Sequence, residues 1–459
     1  MSANEHKNNL TFNDFGLHPD LLKAIQLSGY TNPTPIQAQA IGPIIDGYDV
    51  MGAAQTGTGK TAAFTLPLLH RMMPFASTST SPARHPVRAL ILTPTRELAD
   101  QVADNVKRYA ETSPLRSAVV YGGVDIHAQK EELRRGCEVL IATPGRLLDH
   151  IEQKNISLAQ VNVLVLDEAD RMLDMGFMPD LERILHHLPV QRQSLLFSAT
   201  FSPDIRKLGR TFLKNPIEIS VAASNTAAST VTQIAYKVPN EHKKAALVFL
   251  LKTRKLSQVI IFSNTKIGTA QIARDLTQEG ITAESIHGDK SQMERTRALE
   301  AFKEGRVQVL VATDVAARGL DVAGLDCVIN MDLPYNPEDY VHRIGRTGRA
   351  GASGIAIAFY GDHNEKQLGD IEALMKTAVP KEDLYIPDVF LERYHPGRKK
   401  DTYHRYSKQE PIDPFFYAPY DPEEDDGLLE SSTIEKRDFP EVNAPPLAVL
   451  LGGRPKPRK

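Results

Sequence analysis

Residues 49–61 read Asp-Val-Met-Gly-Ala-Ala-Gln-Thr-Gly-Thr-Gly-Lys-Thr, and they decide the fold of the first part of the chain. Apolar strand-like residues open this stretch, and a glycine-containing loop leads from them into the helical run 62–66. A loop between a strand and a helix can close its N–H groups around phosphate oxygens, and the helix N-terminus adds partial positive charge. Lys60 is expected to reach the outer phosphates of a nucleotide, and the Thr61 hydroxyl to ligate Mg²⁺. The alternative is a turn that merely ends in Lys-Thr, but the strand–loop–helix context that the motif requires is present.

Length and composition indicate an ordinary soluble protein of two or three domains. The chain has 459 residues, of which 41% are hydrophobic and 24% charged. Its formal net charge of −3 does not indicate nucleic-acid binding, so any such surface must be a local patch. Cys137 and Cys327 lie in apolar strand-like runs, which fits buried free thiols rather than disulfides or a zinc site. The N-terminus has no apolar signal region and no run reaches membrane-spanning length, so the cytoplasm is the expected location.

Strand and helix patterns alternate along the first half of the chain and restart in the second. Apolar runs without internal alternation, separated by helices, predict parallel sheets covered by helices on both faces. The second half echoes the first, because 309–313 resembles 139–143 and 260–262 resembles 90–92. The expected parts are a first domain over 1–219, a flexible linker over 220–231, a second domain over 232–378 and a low-complexity charged tail over 379–459.

Three carboxylates follow an apolar strand-like run in the first half: Asp167, Glu168 and Asp170. Ligands of parallel sheets bind beyond the carboxyl ends of strands, and a buried carboxylate is costly unless a cation meets it. We therefore expect Asp167 to hold Mg²⁺ through water and Glu168 to orient and deprotonate an attacking water. A solvated acidic loop is the alternative, and the hydrophobic strand before it argues against that. The hydroxyls of Ser198 and Thr200, at another strand end, could bond Asp170 and relay the nucleotide state.

The segment before the phosphate loop contains a candidate site for a nucleotide base. A rigid turn that includes Thr31 and Pro35 leads to Gln37, whose amide carries both a donor and an acceptor and suits the N6/N7 edge of adenine. Tyr30 and Phe12 could supply an aromatic face beside it. Taken alone, the segment is more often a helix cap with core aromatics, and only its place before the loop makes the base site an equal alternative.

Several strand ends offer hydroxyls, arginines and backbone N–H groups that grip phosphates without reading base edges. Singly, each is more often a tight turn or a helix cap, but together they predict a polyanion track separate from the nucleotide loop. The residues are Pro94, Thr95, Arg96, Gly122, Gly123, Thr143, Pro144, Gly145 and Arg146 in the first half, and Gln292, Arg295 and Thr313 in the second.

The second half has no Gly-Lys-Thr loop and no acidic strand end, so we expect it to complete the first site across a cleft. Arg346 and Arg349 lie three positions apart, on one face if the run is helical, and could neutralise charge on a transferring phosphoryl group. A nucleic-acid patch is the alternative for this basic run. Asp321 could accept a hydrogen bond from a ribose hydroxyl, and Asp314 with Arg318 could form an internal brace.

In their order along the chain these motifs resemble those of the DEAD-box RNA helicases of superfamily 2, from Phe12 to about Ile371. Ala54, unusual at the start of a generic phosphate loop, is what this family usually carries, and the bacterial RhlE-type branch looks most similar. The motifs are Gly29–Gln37, Ala54–Thr61, Pro94–Leu98, Gly122–Gly123, Thr143–Arg146, Asp167–Asp170, Ser198–Thr200, Gln292–Arg295, Ala312–Asp321 and His342–Arg349.

The resemblance implies an α/β fold of two tandem RecA-like domains, with parallel sheets covered by helices, that close on ATP, Mg²⁺ and single-stranded RNA. It implies a largely disordered C-terminal tail. The implied nucleotide-binding residues are Phe12, Tyr30, Thr31, Pro35, Gln37, Ala54, Gln55, Thr56, Gly57, Thr58, Gly59, Lys60, Thr61, Gly319 and Asp321. The implied catalytic residues are Lys60, Asp167, Glu168, His342, Arg346 and Arg349, with Thr61 and Asp167 on the metal, and Asp170, Ser198 and Thr200 couple the domains.

The expected function is an RNA-dependent ATPase that unwinds short RNA duplexes or remodels RNA–protein complexes as a monomer, away from membranes. One alternative is an ATP-gated RNA clamp or assembly platform with little unwinding, and another is a DNA helicase of the same superfamily. The tail carries basic clusters at 398–400 and 454–459 and an acidic one at 421–426. It could tether RNA, ribosomal particles or RNA-decay enzymes, and Leu447–Leu451 could dock a partner.

Overall fold

The computed structural model describes residues 10–54, 57–221, 231–254, 256–317, 320, 322, 324–348 and 354–394. These residues form two seven-stranded sheets in which the described strands pair in parallel. Helices pack on both faces of each sheet. The predicted architecture of two parallel-sheet α/β domains is therefore confirmed, and we refer to residues 10–221 as the first domain and 231–394 as the second.

The first sheet has the strand order β3-β4-β2-β5-β6-β1-β7. Its four-residue strands β1, β2, β4 and β5 are buried throughout, whereas the edge strands β3 and β7 are partly exposed, as expected for a parallel sheet covered on both faces. The strands are β1 Val50–Ala53, β2 Ala89–Leu92, β3 Ser117–Val120, β4 Val139–Ala142, β5 Val163–Leu166, β6 Gln193–Ser198 and β7 Ile217–Ser220.

Successive side chains of these strands enter different cores. Ala89 and Ile91 pack with α1–α4 on one face, and Leu90 and Leu92 pack with the later helices on the other. The helices of the first domain are α1 Pro19–Leu27, α2 Pro35–Ile45, α3 Lys60–Met72, α4 Arg96–Tyr109, α5 Ile126–Arg134, α6 Pro144–Glu152, α7 Ala169–Asp174, α8 Met178–His186 and α9 Pro203–Phe212. Short 3₁₀ turns occur at Phe12–Phe15, Met73–Phe75, Pro82–Arg84, Asn240–His242 and Asp362–Asn364.

The second sheet has the order β10-β11-β9-β12-β13-β8-β14, which repeats the order of the first strand for strand. In this correspondence β11 matches β4 and β9 matches β2, so the predicted internal similarity is confirmed. The strands are β8 Val231–Lys237, β9 Val259–Phe262, β10 Ala283–Ile286, β11 Val309–Ala312, β12 Cys327–Asn330, β13 Gly354–Tyr360 and β14 Lys381–Glu382. The helices are α10 Lys243–Thr253, α11 Lys266–Gln278, α12 Gln292–Lys303, α13 Asp314–Ala317, α14 Pro337–Ile344, α15 Glu365–Met375 and α16 Asp388–Tyr394.

The folded part continues past the boundary expected at residue 378. Strand β14 pairs with β8, and α16 packs on α10, where the rings of Phe390 and Phe249 lie 5.4 Å apart. Leu384 and Ile386 add to the same core. Of the expected linker, Ser220 ends β7 and Val231 begins β8, while 222–230 lie outside the described residues, as do 395–459 with all the charged clusters of the tail.

Both cysteines are buried free thiols, as predicted. Burial raises the pKa of Cys137 and of Cys327 to about 12, so neither is ionised near neutral pH. Within the described ranges no helix combines the length and the apolar character needed to cross a bilayer.

Candidate functional site

The phosphate loop joins β1 to α3 at the carboxyl end of the first sheet. Gly57 and Gly59 have φ angles of +85° and +90°, which glycine adopts without strain. Gly59 also lies against Gln37, because a Cβ at Gly59 would be 2.3 Å from the Gln37 Nε2. Lys60 is buried, and its Nζ donates to the Ser198 carbonyl at 3.2 Å, so the end of β6 fixes its ammonium group.

Two carboxylates follow β5 beside this loop. Asp167 is only 2% exposed, and burial together with the negative charge of Glu168 raises its pKa to about 7, although Lys60 opposes the shift. Its Oδ1 accepts the Glu168 N–H at 3.0 Å. Glu168 has a φ of +52°, a conformation that L side chains rarely adopt, and its Oε2 lies 3.2 Å from the Arg171 Nε. The surrounding structure therefore holds the backbone of Glu168 in a strained conformation, and the contact with Arg171 fixes the position of its carboxylate.

A cavity of about 650 Å³ lies between the two domains, and predicted site residues from both domains line it. The first domain contributes Tyr30, Gln37, Gly57, Gly59, Lys60, Thr61, Asp167 and Glu168, and the second contributes Gln292, Arg295 and Arg346. Leu320, which lies in the motif Ala312–Asp321, and Val322, which lies outside the quoted motifs, also line it. The fold thus brings the phosphate loop, the acidic strand end and one predicted arginine finger together.

The candidate base site is partly as predicted. The Gln37 Oε1 accepts the Thr34 N–H at 2.9 Å, and its Nε2 donates to the Gly59 carbonyl at 3.1 Å. Tyr30 lies at the cavity with its ring 6.4 Å from that of Tyr109. Phe12 is different, because it is buried in the core of the first domain and is not among the cavity residues. Of the two aromatic residues, Tyr30 is therefore at the cavity and Phe12 is in the core, and the role of Tyr30 beside a base stays a prediction.

Three helices of the first domain begin side by side at the predicted polyanion track. The neighbouring strands β3, β4 and β2 lead into α5, α6 and α4, and the N-caps of α6 and α4 are Thr143 and Thr95. Helix N-termini present unpaired N–H groups and partial positive charge, which suits phosphates. Pro94 precedes the cap of α4, and Pro144 and Gly145 lie in the first turn of α6.

The glycine pair after β3 lies against an arginine of this track. Gly123 has a φ of +75°, and a Cβ there would be 2.1 Å from a terminal nitrogen of Arg96. Arg146 donates from both terminal nitrogens to the Val124 carbonyl at 3.2 Å. In the described part of the chain the N–H groups of Gly122 and Gly123 donate to no protein group, so they remain available to an anion.

Two predicted RNA residues of the second domain contact the first domain instead. The Arg295 guanidinium lies 2.9 Å from the Glu97 carboxylate, and the Gln292 Nε2 donates to the same carboxylate at 3.3 Å. Arg96 donates to the Gln292 Oε1 at 3.4 Å. Glu97 is thus a functional candidate that the sequence interpretation missed, although it directly follows Arg96 in the first turn of α4. Thr313 caps α13, where its hydroxyl accepts the Ala316 N–H at 3.4 Å.

The two arginines of α14 and the turn after it have different roles. Arg346 lines the cavity between the two domains, and one of its terminal nitrogens donates to the Leu320 carbonyl at 2.7 Å. Arg343 is fully buried and makes two 2.6 Å bonds to the Asp314 carboxylate and one of 2.9 Å to Asn330. Asp314 is therefore braced by Arg343, and the expected brace with Arg318 stays a prediction. The expected site residues Gln55, Thr56, Gly319, Asp321 and Arg349, together with Arg318, lie outside the described residues.

The predicted coupling residues Asp170, Ser198 and Thr200 do not form the hydrogen bonds expected between them. Asp170 accepts the Ala199 backbone N–H at 3.0 Å, whereas the buried hydroxyls of Ser198 and Thr200 have no hydrogen-bond partner. The expectation that these hydroxyls bond Asp170 is therefore wrong, since a backbone donor occupies the carboxylate instead.

Asp170 and His342 interact across the two domains. Burial acts to raise the pKa of Asp170, but the interactions with Lys60, His342 and Arg171 and the hydrogen bond from Ala199 outweigh it, and the pKa is lowered. Burial and the charge of Arg171 lower the pKa of His342, which is neutral near pH 7. His342 of the second domain therefore lies near Asp170 of the first, and its expected catalytic role stays a prediction.

The residues around Asp167 fit a magnesium nucleotide. Among the described residues no group of three or more His, Cys, Asp or Glu side chains is placed to hold a metal. A cation here would therefore take most of its ligands from phosphate oxygens and water, as Mg²⁺ commonly does. The raised pKa of Asp167 reflects too little positive charge around a buried carboxylate, which a divalent cation would supply. Thr61, at the same cavity, and Asp167 are the residues suited to hold it.

Sequence models of two helicase domains match the chain in the same two parts as the sheets. The model described as DEAD/DEAH box helicase matches residues 34–208, and that described as helicase conserved C-terminal domain matches residues 242–351. The first range contains the phosphate loop and Asp167, and the second contains Gln292 and Arg346. The two matches therefore divide the candidate site as the fold does.

Similar bacterial proteins carry helicase names. The chain is 44% identical over 372 residues to the DEAD-box ATP-dependent RNA helicase CshA of Bacillus subtilis, covering 81% of this chain and 74% of that protein. It is 43% identical over 359 residues to the DEAD-box ATP-dependent RNA helicase RhpA of Helicobacter pylori, covering 78% and 71%.

Solved structures of similar fold contain RNA and a nucleotide. S. cerevisiae Dbp5 bound to RNA and ADP BeF3 aligns with a TM-score of 0.72 and 31% identity over 84% of this chain and 99% of that chain. Mss116p bound to ssRNA and AMP-PNP aligns with a TM-score of 0.76 and 28% identity over 85% of this chain and 82% of that chain.

Proposed function

Because the chain belongs to the DEAD-box ATP-dependent RNA helicases, we infer that it hydrolyses ATP with RNA bound and that closure of its two domains opens short RNA duplexes. The observation that carries this inference is the shared cavity. Lys60, Asp167 and Glu168 line it from the first domain, and Arg346 lines it from the second. Hydrolysis by this set requires both domains at once.

Each of these residues has a role that follows from its position. The Lys60 ammonium neutralises phosphate oxygens, and the Glu168 carboxylate orients a water molecule and accepts its proton as the water attacks the γ-phosphorus. The bond to the β–γ bridging oxygen breaks, which leaves ADP and phosphate. The Arg346 guanidinium neutralises charge that develops on the transferring group. Bound at Thr61 and Asp167, Mg²⁺ would add positive charge to the phosphates.

The proposed RNA site consists of the N-termini of the helices that follow neighbouring strands in each sheet. Neighbouring strands in the same order, β3-β4-β2 and β10-β11-β9, lead into helices at corresponding ends of the two domains. The N–H groups of Gly122 and Gly123 and the guanidinium of Arg96 suit phosphates and carry no base readout. A strand held along both domains favours their closure, so ATP and RNA each strengthen the binding of the other. This agrees with a net charge of only −3, because the phosphate contacts are local.

Four finer points are part of the proposal. We place the chain in the RhlE-type branch of the family, as a cytoplasmic monomer. Its residues 395–459 would tether RNA, ribosomal particles or RNA-decay enzymes through their charged clusters. Each of these points stays a prediction, supported by the motif pattern and the composition of the chain.

The variant Glu168→Gln tests the assigned chemistry. We expect it to bind ATP and RNA but to lose turnover by about 10²- to 10⁴-fold, because the amide cannot accept the proton. Glu182→Gln, which changes an exposed glutamate of α8, is the matched control and should behave as wild type. Normal hydrolysis by Glu168→Gln would show that another group activates the water.

Two measurements on the wild-type chain test the coupling to RNA. ATPase activity should rise when single-stranded RNA is added, and an unstimulated rate would instead favour a clamp with slow hydrolysis. RNA should outcompete a DNA oligonucleotide of the same sequence, and equal competition would favour a DNA helicase.

A further inference from the structure

A chain of three hydrogen bonds, one buried and two partly buried, ends beside the glycine pair of the RNA track. The Gln129 Nε2 donates to the carbonyl of Tyr121, the residue before Gly122, at 2.9 Å. The Gln129 Oε1 lies 3.2 Å from the His150 Nε2, and the His150 Nδ1 lies 3.1 Å from the Asn155 Nδ2. The chain links α5 and α6 to the loop after β3, and none of its members belongs to the site described above.

The directions of these hydrogen bonds are fixed by their ends. The Tyr121 carbonyl can only accept, so the Gln129 amide nitrogen faces it and the amide oxygen faces His150. The His150 Nε2 must then carry a proton, and its Nδ1 accepts from Asn155. His150 is therefore a neutral imidazole of one tautomer, in agreement with its full burial and with a pKa lowered by that burial and then by Arg146.

The loop after β3 is also bound at the carbonyl that follows the glycine pair, and the glycine pair itself lies against Arg96. Arg146 donates to the Val124 carbonyl at 3.2 Å, and Gly123 lies against the Arg96 guanidinium. The carbonyl before the glycine pair and the carbonyl after it are thus both bound by side chains. Because peptide units are planar, binding a carbonyl orients the N–H of the next residue. The Gln129 contact at Tyr121 therefore sets where the Gly122 N–H points.

We propose that Gln129 and His150 are positioning residues for RNA, which act through the Tyr121 carbonyl to aim the Gly122 N–H at a phosphate of the bound strand. This inference rests on the proposed RNA track and adds two residues that do not touch RNA themselves. It assigns to the His150 Nε2–H, as the donor that fixes the Gln129 amide, a part in RNA affinity that a buried packing role would not have.

The test compares RNA affinity with ATP affinity in matched variants of the full chain. Gln129→Met keeps the length of the side chain and removes its hydrogen bonds. We expect the Kd for a fluorescent single-stranded RNA to rise by up to about tenfold, the effect of one hydrogen bond, with the KM for ATP without RNA unchanged. His127→Asn, an exposed substitution on the same helix, should leave both quantities at their wild-type values.

A second pair of variants changes the donor at position 150. His150→Gln keeps a neutral donor where Nε2 stands, so RNA affinity should be retained. His150→Phe removes the donor and should weaken RNA binding as Gln129→Met does.

The outcomes separate this inference from the proposed function. Arg96→Met tests the track directly, and if it leaves RNA affinity unchanged the track itself is wrong. If Arg96→Met weakens RNA binding and neither Gln129→Met nor His150→Phe does, only the positioning role is overturned. Equal losses of ATP and RNA affinity together with a lower Tm in Gln129→Met would also overturn it. Selective loss of RNA affinity, with rescue by His150→Gln, supports it.

Discussion

The contact between Glu97 and Arg295 should control how readily the two domains close. Glu97 lies in α4 of the first domain and Arg295 in α12 of the second, with 2.9 Å between carboxylate and guanidinium. Gln292 donates to the same carboxylate at 3.3 Å. The variants Glu97→Gln and Arg295→Met remove the charge from one partner at a time and keep the side-chain size. Because the contact exists only when the domains meet, its loss should destabilise the closed state alone.

The expected magnitude follows from the burial of the pair. The side chains of Glu97 and Arg295 are only 9% and 15% exposed, so the 0.2–1 kcal/mol typical of surface pairs is too small. A hydrogen bond to a charged group is worth about 1.5–3 kcal/mol, and removing one partner leaves the other charge poorly compensated. At about 1.4 kcal/mol per factor of ten, the equilibrium constant for closure should fall about 10- to 100-fold. The apparent affinities for ATP and RNA, measured with the other ligand saturating, should fall by the same factor.

Fluorescence transfer between the domains measures closure directly. Both native cysteines are buried, so one introduced cysteine on the surface of each domain would take the dyes selectively. The double variant Glu97→Gln/Arg295→Met should be little worse than either single variant, which gives a coupling energy of about 1–3 kcal/mol. Arg297→Met, an exposed change on the same helix, is the control. The reasoning is refuted if Arg295→Met weakens RNA binding while Glu97→Gln has no effect, because Arg295 would then act on RNA directly.

Three further predictions follow from single contacts. Arg346→Ala should lower kcat about 10³-fold or more with little change in the Kd for ATP, as measured by steady-state ATPase and nucleotide titration, and equal losses in both would exclude the finger role. Gly123→Ala should raise the Kd for RNA about tenfold, because a φ of +75° costs an L residue about 1–2 kcal/mol and the new Cβ would meet Arg96. The His70 Nδ1 accepts the His18 N–H at 3.1 Å, and burial and then the charge of His18 lower the His70 pKa. Below about pH 6.5 the His70 side chain therefore binds a proton in the unfolded chain more readily than in the folded chain, so the free energy of unfolding should decrease as the pH is lowered. His70→Asn should flatten the dependence of Tm on pH, and an unchanged dependence would show that another group is responsible.

The order of strands and helices could be predicted from the sequence, because the central strands are buried on both faces and are therefore apolar throughout. Runs such as 89–92 and 259–262 have no polar face, and only a parallel sheet covered on both sides accommodates them. The end of the second domain could not be predicted in the same way. Strand β14 has two exposed residues, Lys381 and Glu382, and no apolar pattern marks it, so its pairing with β8 depends on the fold around it.

The site shows a similar division between local and non-local information. Lys60 and Asp167 follow from the end of a strand and the start of a helix, which are features of contiguous sequence. Arg343 and Arg346 are residues of the same type in one short motif, so the sequence does not distinguish them. Only the tertiary fold buries Arg343 against Asp314 and places Arg346 at the cavity. The same holds for Asp170, since its donor at Ala199 is a backbone group and leaves no signature in the sequence.

The two contacts of Gln37 have a consequence for which purine the cavity accepts. Thr34 offers an N–H and Gly59 a carbonyl, so the side-chain amide cannot flip without losing two hydrogen bonds, at about 1 kcal/mol each. The amide oxygen has a second lone pair and the amide nitrogen a second hydrogen, and these remain in a fixed order. Adenine presents a donor beside an acceptor on its N6/N7 edge and can match that order, whereas guanine presents two acceptors there and sets its O6 against the amide oxygen. A rotamer locked by the protein's own backbone would thus exclude GTP.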